Sequence, residues 1–135
     1  MFGFGKKEIE LTPLVALAVG SIYMVAADGE LADEEMGQLV SMFGGDESIV
    51  ENGIEYIKQN QNIEENISKI AGMLNQEQKE VMIINLLDIL LSDGEADENE
   101  KNLFFAFADA FGFEQSYLEP IFDVISKKNN LSIFQ

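Results

Sequence analysis

The chain has no cysteine, histidine, tryptophan or arginine among its 135 residues. Without cysteine there is no disulfide framework, thiolate nucleophile, iron–sulfur cluster or thiolate zinc site. Without histidine the usual general base near neutral pH and the commonest transition-metal ligand are gone. Without arginine there are no bidentate clamps for phosphate or carboxylate. Positive charge is scarce as well: eight lysines face 25 Asp and Glu, for a net charge of −17. That field excludes sequence-independent binding to nucleic acid and opposes docking on anionic lipid. It favours a cation, or a protein partner with a basic surface.

Long apolar runs are also few. The best membrane candidate is Leu11–Ala27, which holds Pro13, Gly20 and Ser21 and stops at Asp28. It is short of the ~20 apolar residues a span needs and reads as a buried core helix. No integral membrane span is expected. Met1–Lys7 places its charges after a brief apolar patch, the reverse of a signal peptide, and the chain reads as cytoplasmic.

What the chain does have is apolar content, 47% of residues, enough to close a core without staples. It reads as a single domain, 1–135, with a core over about 12–128. It also has an internal repeat. Residues 14–43 and 79–111 share one plan: an apolar helix, an acidic corner, then a second apolar-periodic segment. Asp28, Gly29, Glu30 and Glu35 map onto Asp93, Gly94, Glu95 and Glu100 at a fixed offset of 65, with no gap. Thr12-Pro13, Asp46, Asn62 with Glu65, and Asn75 with Gln78 are helix starts. Gly44-Gly45, Gln59–Gln61 and Gly112 are breaks. Pro120 either starts or kinks the last helix. The expected fold is all-α, with about seven helices at 13–27, 33–43, 47–59, 62–74, 76–92, 98–111 and 115–128. These form two pseudo-symmetric halves around two apolar central helices, 13–27 and 76–92, expected at the buried centre. Phe104, Phe105, Phe107, Phe111 and Phe113 are expected in the core. Gly20 and Gly37 are expected to permit close helix contact. Lys127 and Lys128 suit a helix C-terminus without needing a partner.

The acidic corners admit two readings. As local structure, Asp-Gly is a turn with Gly29 and Gly94 at its bend, and Asp97 with Glu100 is a capping box. In the first copy Ala32 is the N-cap, with Glu35 at the third helical position and Leu31 stapled on Met36. Acids in a first helical turn suit the helix dipole. Asp28 and Asp93 break that logic, because each follows the C-terminal end of a helix, where an anion is disfavoured. A bound cation would reverse that cost. The candidate ligands are Asp28, Glu30, Glu35, Asp93, Glu95 and Glu100, hard oxygen donors suited to calcium, magnesium or manganese. The spacing is not that of an EF-hand, since Leu39 and Phe104 stand where its closing Glu belongs. Asp88, inside an apolar helix, faces either the core or a shared acidic pocket. No catalytic constellation accompanies the acids, and neither enzymatic activity nor an organic cofactor is expected.

The two corners, Ala26-Ala27-Asp28-Gly29-Glu30-Leu31 followed by Glu35, and Ser92-Asp93-Gly94-Glu95 followed by Glu100, resemble the TerB-like family. That family takes in tellurite-resistance proteins and the related amino-terminal region of DnaJ-type membrane co-chaperones. The resemblance covers about residues 12–128. It implies an all-helical fold of two related halves in a bacterial stress-response protein. It also implies metal-ion binding and work in peripheral complexes at the inner membrane face. Asp28, Gly29, Glu30 and Glu35 match the first family motif, and Asp93, Gly94, Glu95 and Glu100 the second. Ala32 and Asn99 replace acids common in the family. The chain has no thiol to reduce an oxyanion, and its charge repels tellurite. The leading expectation is a non-enzymatic acidic module that binds a hard divalent cation. The alternative is a protein-interaction module, a co-chaperone-like adaptor whose corners are solvated caps facing a basic partner.

Overall fold

The computed structural model describes residues 7–27, 31–92 and 97–135. They form seven α-helices and a closing 3-10 turn, Leu131–Phe134, with no strand among the described residues. The helices are α1 Pro13–Val25, α2 Asp33–Met42, α3 Glu47–Gln59, α4 Ile63–Met73, α5 Gln76–Leu91, α6 Glu98–Phe111 and α7 Gln115–Asn129.

Local chemistry sets most of these boundaries. The Thr12 hydroxyl accepts from the Val15 N–H at 3.2 Å, with Pro13 in the first helical position. The Asn62 side chain accepts from the Glu65 N–H at 3.0 Å. Asn75 and Gln78 cap each other reciprocally at 2.8 and 2.9 Å. Gly112 ends α6 in the left-handed region, φ 80°, which a side chain would disfavour. One end differs from expectation by more than a residue, and one open choice is decided. Helix α1 stops two residues early because Ala26 leaves helical geometry at φ −100°, ψ 14°. Pro120 does not start α7 but lies inside it, where it deprives the Ser116 carbonyl of its i+4 donor.

Helix α1 is the centre, and α2, α3, α4, α5 and α6 all pack on it. Its stretch Ala18–Met24 is buried without a break. Gly20 makes this possible: a Cβ there would collide with the Met82 side chain of α5. Gly37, by contrast, has nothing within 4 Å of its missing Cβ and serves no close contact. Helix α5 supplies Met82, Ile83, Leu86, Leu87 and Leu90 to the core. It is less enclosed than its composition predicts, because Val81 and Ile84 face solvent.

The halves follow the repeat. Helix α1 packs on α2 and α3, as α5 packs on α6 and α7, and α1 against α5 joins the two. Helix α4 bridges them by packing on α1 and α6. Phe104, Phe107, Phe111 and Phe113 are buried as expected, but Phe105 is 53% exposed. A helix turns about 100° per residue, so Phe105 leaves the face that Phe104, Phe107 and Phe111 share.

Candidate functional site

The site lies by the C-terminal ends of α1 and α5 and the first turns of α2 and α6. In the first corner the Ala26 N–H donates to the Ile22 carbonyl and closes α1. In the second, the Ser92 N–H and hydroxyl both donate to the Ile89 carbonyl, at 3.2 and 2.8 Å. Asp28, Gly29 and Glu30 of the first corner, and Asp93, Gly94 and Glu95 of the second, lie outside the described residues. Glu35 and Glu100 lie within them.

Each glutamate belongs to the first turn of its helix. The Glu35 Oε1 accepts from the Ala32 N–H at 3.0 Å, which holds the carboxylate back toward the start of α2. Ala32 has no side chain with which to return the bond. In α6 the cap runs the other way: the Asp97 side chain accepts from the Glu100 N–H at 2.8 Å. Leu31 and Met36 both pack on the small apolar cluster of Ile22, Leu39 and Val50.

Glu35 and Glu100 line one cavity of about 560 Å³. Its walls come from α2, through Glu34, Glu35 and Gln38, and from α5, through Asn85, Asp88 and Ser92. Val25, Leu39 and Ile89 add apolar surface. Glu35 and Glu100, 65 residues apart in the chain, therefore line a common space. Asn85, Asp88 and Ser92 were legible as a polar line at helical spacing within an apolar helix. Glu34 and Gln38 carried no separate signal.

Asp88 is already engaged. Its carboxylate accepts from the Lys128 ammonium at 3.0 and 3.2 Å and from the Asn129 amide at 3.3 Å. Lys128 thus does have a partner, and the pair ties the end of α7 to the cavity wall. With side chains 63% and 40% exposed, this ion pair contributes at most about 1 kcal/mol. Among the described residues no three acids stand close enough together to hold a metal ion. The cavity's carboxylates come from three helices: Glu34 and Glu35 from α2, Asp88 from α5 and Glu100 from α6.

Among the described residues no helix is long and apolar enough to cross a membrane. The family model described as "Tellurite resistance protein TerB" matches residues 14–121. No curated protein and no solved structure matches the chain.

Proposed function

The chain belongs to the TerB family, and from that premise we propose that it is a non-enzymatic binding module for a hard divalent cation. The ion is calcium, magnesium or manganese, and it is taken up in the acidic cavity that Glu35 and Glu100 line. The setting is a bacterial stress-response complex in the cytoplasm, at the inner face of the envelope. One observation carries the reading: Glu35 and Glu100, equivalent in the repeat, line the same cavity together with Asp88.

The donor chemistry fits. Carboxylates and the side-chain amides of Asn85 and Gln38 are hard oxygen ligands, and no sulfur or imidazole competes. Asp28, Glu30, Asp93 and Glu95 belong to the connections from α1 to α2 and from α5 to α6, and they complete the proposed ligand set. A cavity walled by carboxylates repels an oxyanion such as tellurite.

Calorimetric titration of metal-free protein with each of the three ions tests this. The expected result is saturable heat from at least one ion. Glu35→Gln with Glu100→Gln should weaken it by at least about tenfold, a loss of about 1.4 kcal/mol. The exposed pair Glu51→Gln with Glu64→Gln should leave it unchanged. In melting curves, a hundredfold excess over Kd should stabilise the protein by about 2.7 kcal/mol beyond sodium chloride of equal ionic strength. If no ion gives saturable heat, the corners are solvated caps and the proposal fails.

A further inference from the structure

An apolar groove lies between the N-terminal halves of α1 and α5, and the described residues leave it open. It has a volume of about 530 Å³. Leu74 and Met82 form its buried floor, and Leu14 of α1 and Val81 of α5 stand on its walls, 49% and 50% exposed. The amide side chains at its edge are already engaged, since Asn75 and Gln78 each accept from the other's backbone N–H. Glu77 is the charged residue in its lining.

The chain itself holds an occupant of matching chemistry. Residues 1–6, which precede the described structure, read Met1-Phe2-Gly3-Phe4-Gly5-Lys6, with no acid among them. Phe2 and Phe4 are two positions apart, the spacing that puts two side chains on one side of an extended segment. The structure shows where this segment is attached. The Gln59 side chain accepts from the Ile9 N–H at 3.0 Å and donates to the Lys7 carbonyl at 2.9 Å, which pins residues 7–9 to the end of α3. Lys7 borders a neighbouring cavity together with Leu14. Leu14 also lines the groove. Six residues span up to about 20 Å, more than twice the width of about 8 Å that the groove's volume implies.

We infer that residues 1–6 dock back on the fold, with Phe2 and Phe4 seated in the α1–α5 groove. Burial of the two rings, and the cover they give Leu14 and Val81, drives the contact. Gly3 and Gly5 allow the backbone to approach the groove closely. Charge favours the same pairing, because a segment that carries lysine and no acid meets a groove whose charged lining residue is Glu77. The contact braces α1 against α5, the two helices that join the halves.

The test is tryptophan fluorescence on the full chain in EDTA, so that the outcome of the cation proposal does not bear on it. The chain has no tryptophan, so Phe4→Trp supplies a single reporter. Its emission should be blue-shifted, and acrylamide should quench it at least about threefold less than in the urea-unfolded protein. Adding Leu14→Ser with Val81→Ser should raise quenching to the unfolded level, while adding Val124→Ser, exposed outside the groove, should not. In the reciprocal experiment, a Val81→Trp reporter should be quenched more once Phe2→Ser and Phe4→Ser are added. Those two changes lie outside every described helix, so this arm decides the matter should Leu14→Ser with Val81→Ser fail to fold. A Phe4→Trp reporter quenched as strongly as in urea would overturn the inference. So would protection that survives Leu14→Ser with Val81→Ser in a folded protein, or a Val81→Trp reporter indifferent to Phe2→Ser and Phe4→Ser. Protection lost on dilution would mean docking on a second copy, and protection gained only with phosphatidylglycerol vesicles would mean a membrane. Either result would overturn it.

Discussion

Val40 and Phe105 are equivalent residues, each following a nearly buried neighbour: Leu39 and Phe104 are both only 2% exposed. Yet Val40 packs on the small apolar cluster beneath α3, while more than half of Phe105 meets water. Tyr23 and Asp88 form a second equivalent pair with a parallel contrast. The Tyr23 hydroxyl accepts from the buried Asn66 amide at 2.7 Å, fastening α1 to α4. Asp88 makes its link to Lys128 and Asn129 at a half-exposed cavity wall. The first half covers both positions, while the second leaves Phe105 and the Asp88 link partly exposed to solvent.

The largest effects should fall on the shared floor, where the halves are alike. Leu39→Ala and Phe104→Ala each remove a nearly buried side chain, at an expected cost of about 3 kcal/mol in denaturant unfolding. If only one proves costly, the two floors are not equivalent and the comparison breaks at its base.

The polar links come next. Tyr23→Phe removes one acceptor of the Asn66 amide, which still donates to the Asn60 carbonyl at 2.7 Å. The expected loss is about 1 kcal/mol. Burial, above all, raises the Tyr23 hydroxyl above its ordinary value of 10.0, with the Asn66 hydrogen bond acting against it. The neutral form is therefore favoured in the folded state. Its contribution is fully present below pH 10 and is lost as pH rises through the raised value. Melting temperature should fall in that window, and less steeply in Tyr23→Phe. A slope identical in wild type and variant would remove Tyr23 as the cause.

Val40→Ser and Phe105→Ser sharpen the contrast itself. The first should cost about 1 kcal/mol, as burial of a polar group against the cluster would predict, and the second less than about 0.5 kcal/mol. Equal costs would mean that the second half is closed after all. The smallest effect should come from Lys128→Ala, which cuts the exposed tie to Asp88. The expected loss of stability is about 0.2 kcal/mol, the low end for an exposed pair, and should shrink with added salt. A larger and salt-independent loss would show that the α7 tie matters as much as the Tyr23 link.

Most of the helical framework was legible in the residues. Thr12-Pro13, Asp46, Asn62, Asn75 and Asp97 all start helices as capping chemistry requires, and Gly112 ends one. Phe105 was misjudged because it sits among core phenylalanines, and periodicity alone does not say how wide a face the neighbouring helices cover. Lys128 was misjudged for a related reason, since its partner lies 40 residues away. Of the six candidate ligands, Glu35 and Glu100 come together at one cavity, and the other four fall outside the described residues.

The amino-acid sequence by itself determined the helices, most of their ends, the twofold plan and the acidic character of the corners. All of these rest on hydrogen bonds and side-chain periodicity spanning three or four residues, and on charge, which is a sum over the chain. Tertiary structure alone decided that Glu35 and Glu100 share a cavity, that Asp88 is held by Lys128, and that Phe105 meets solvent while Val40 is covered. Those outcomes depend on the distances and angles at which helices cross. Interlocking side chains far apart in the chain set that geometry, as Gly20 against Met82 and Gly53 against Ile22 do here.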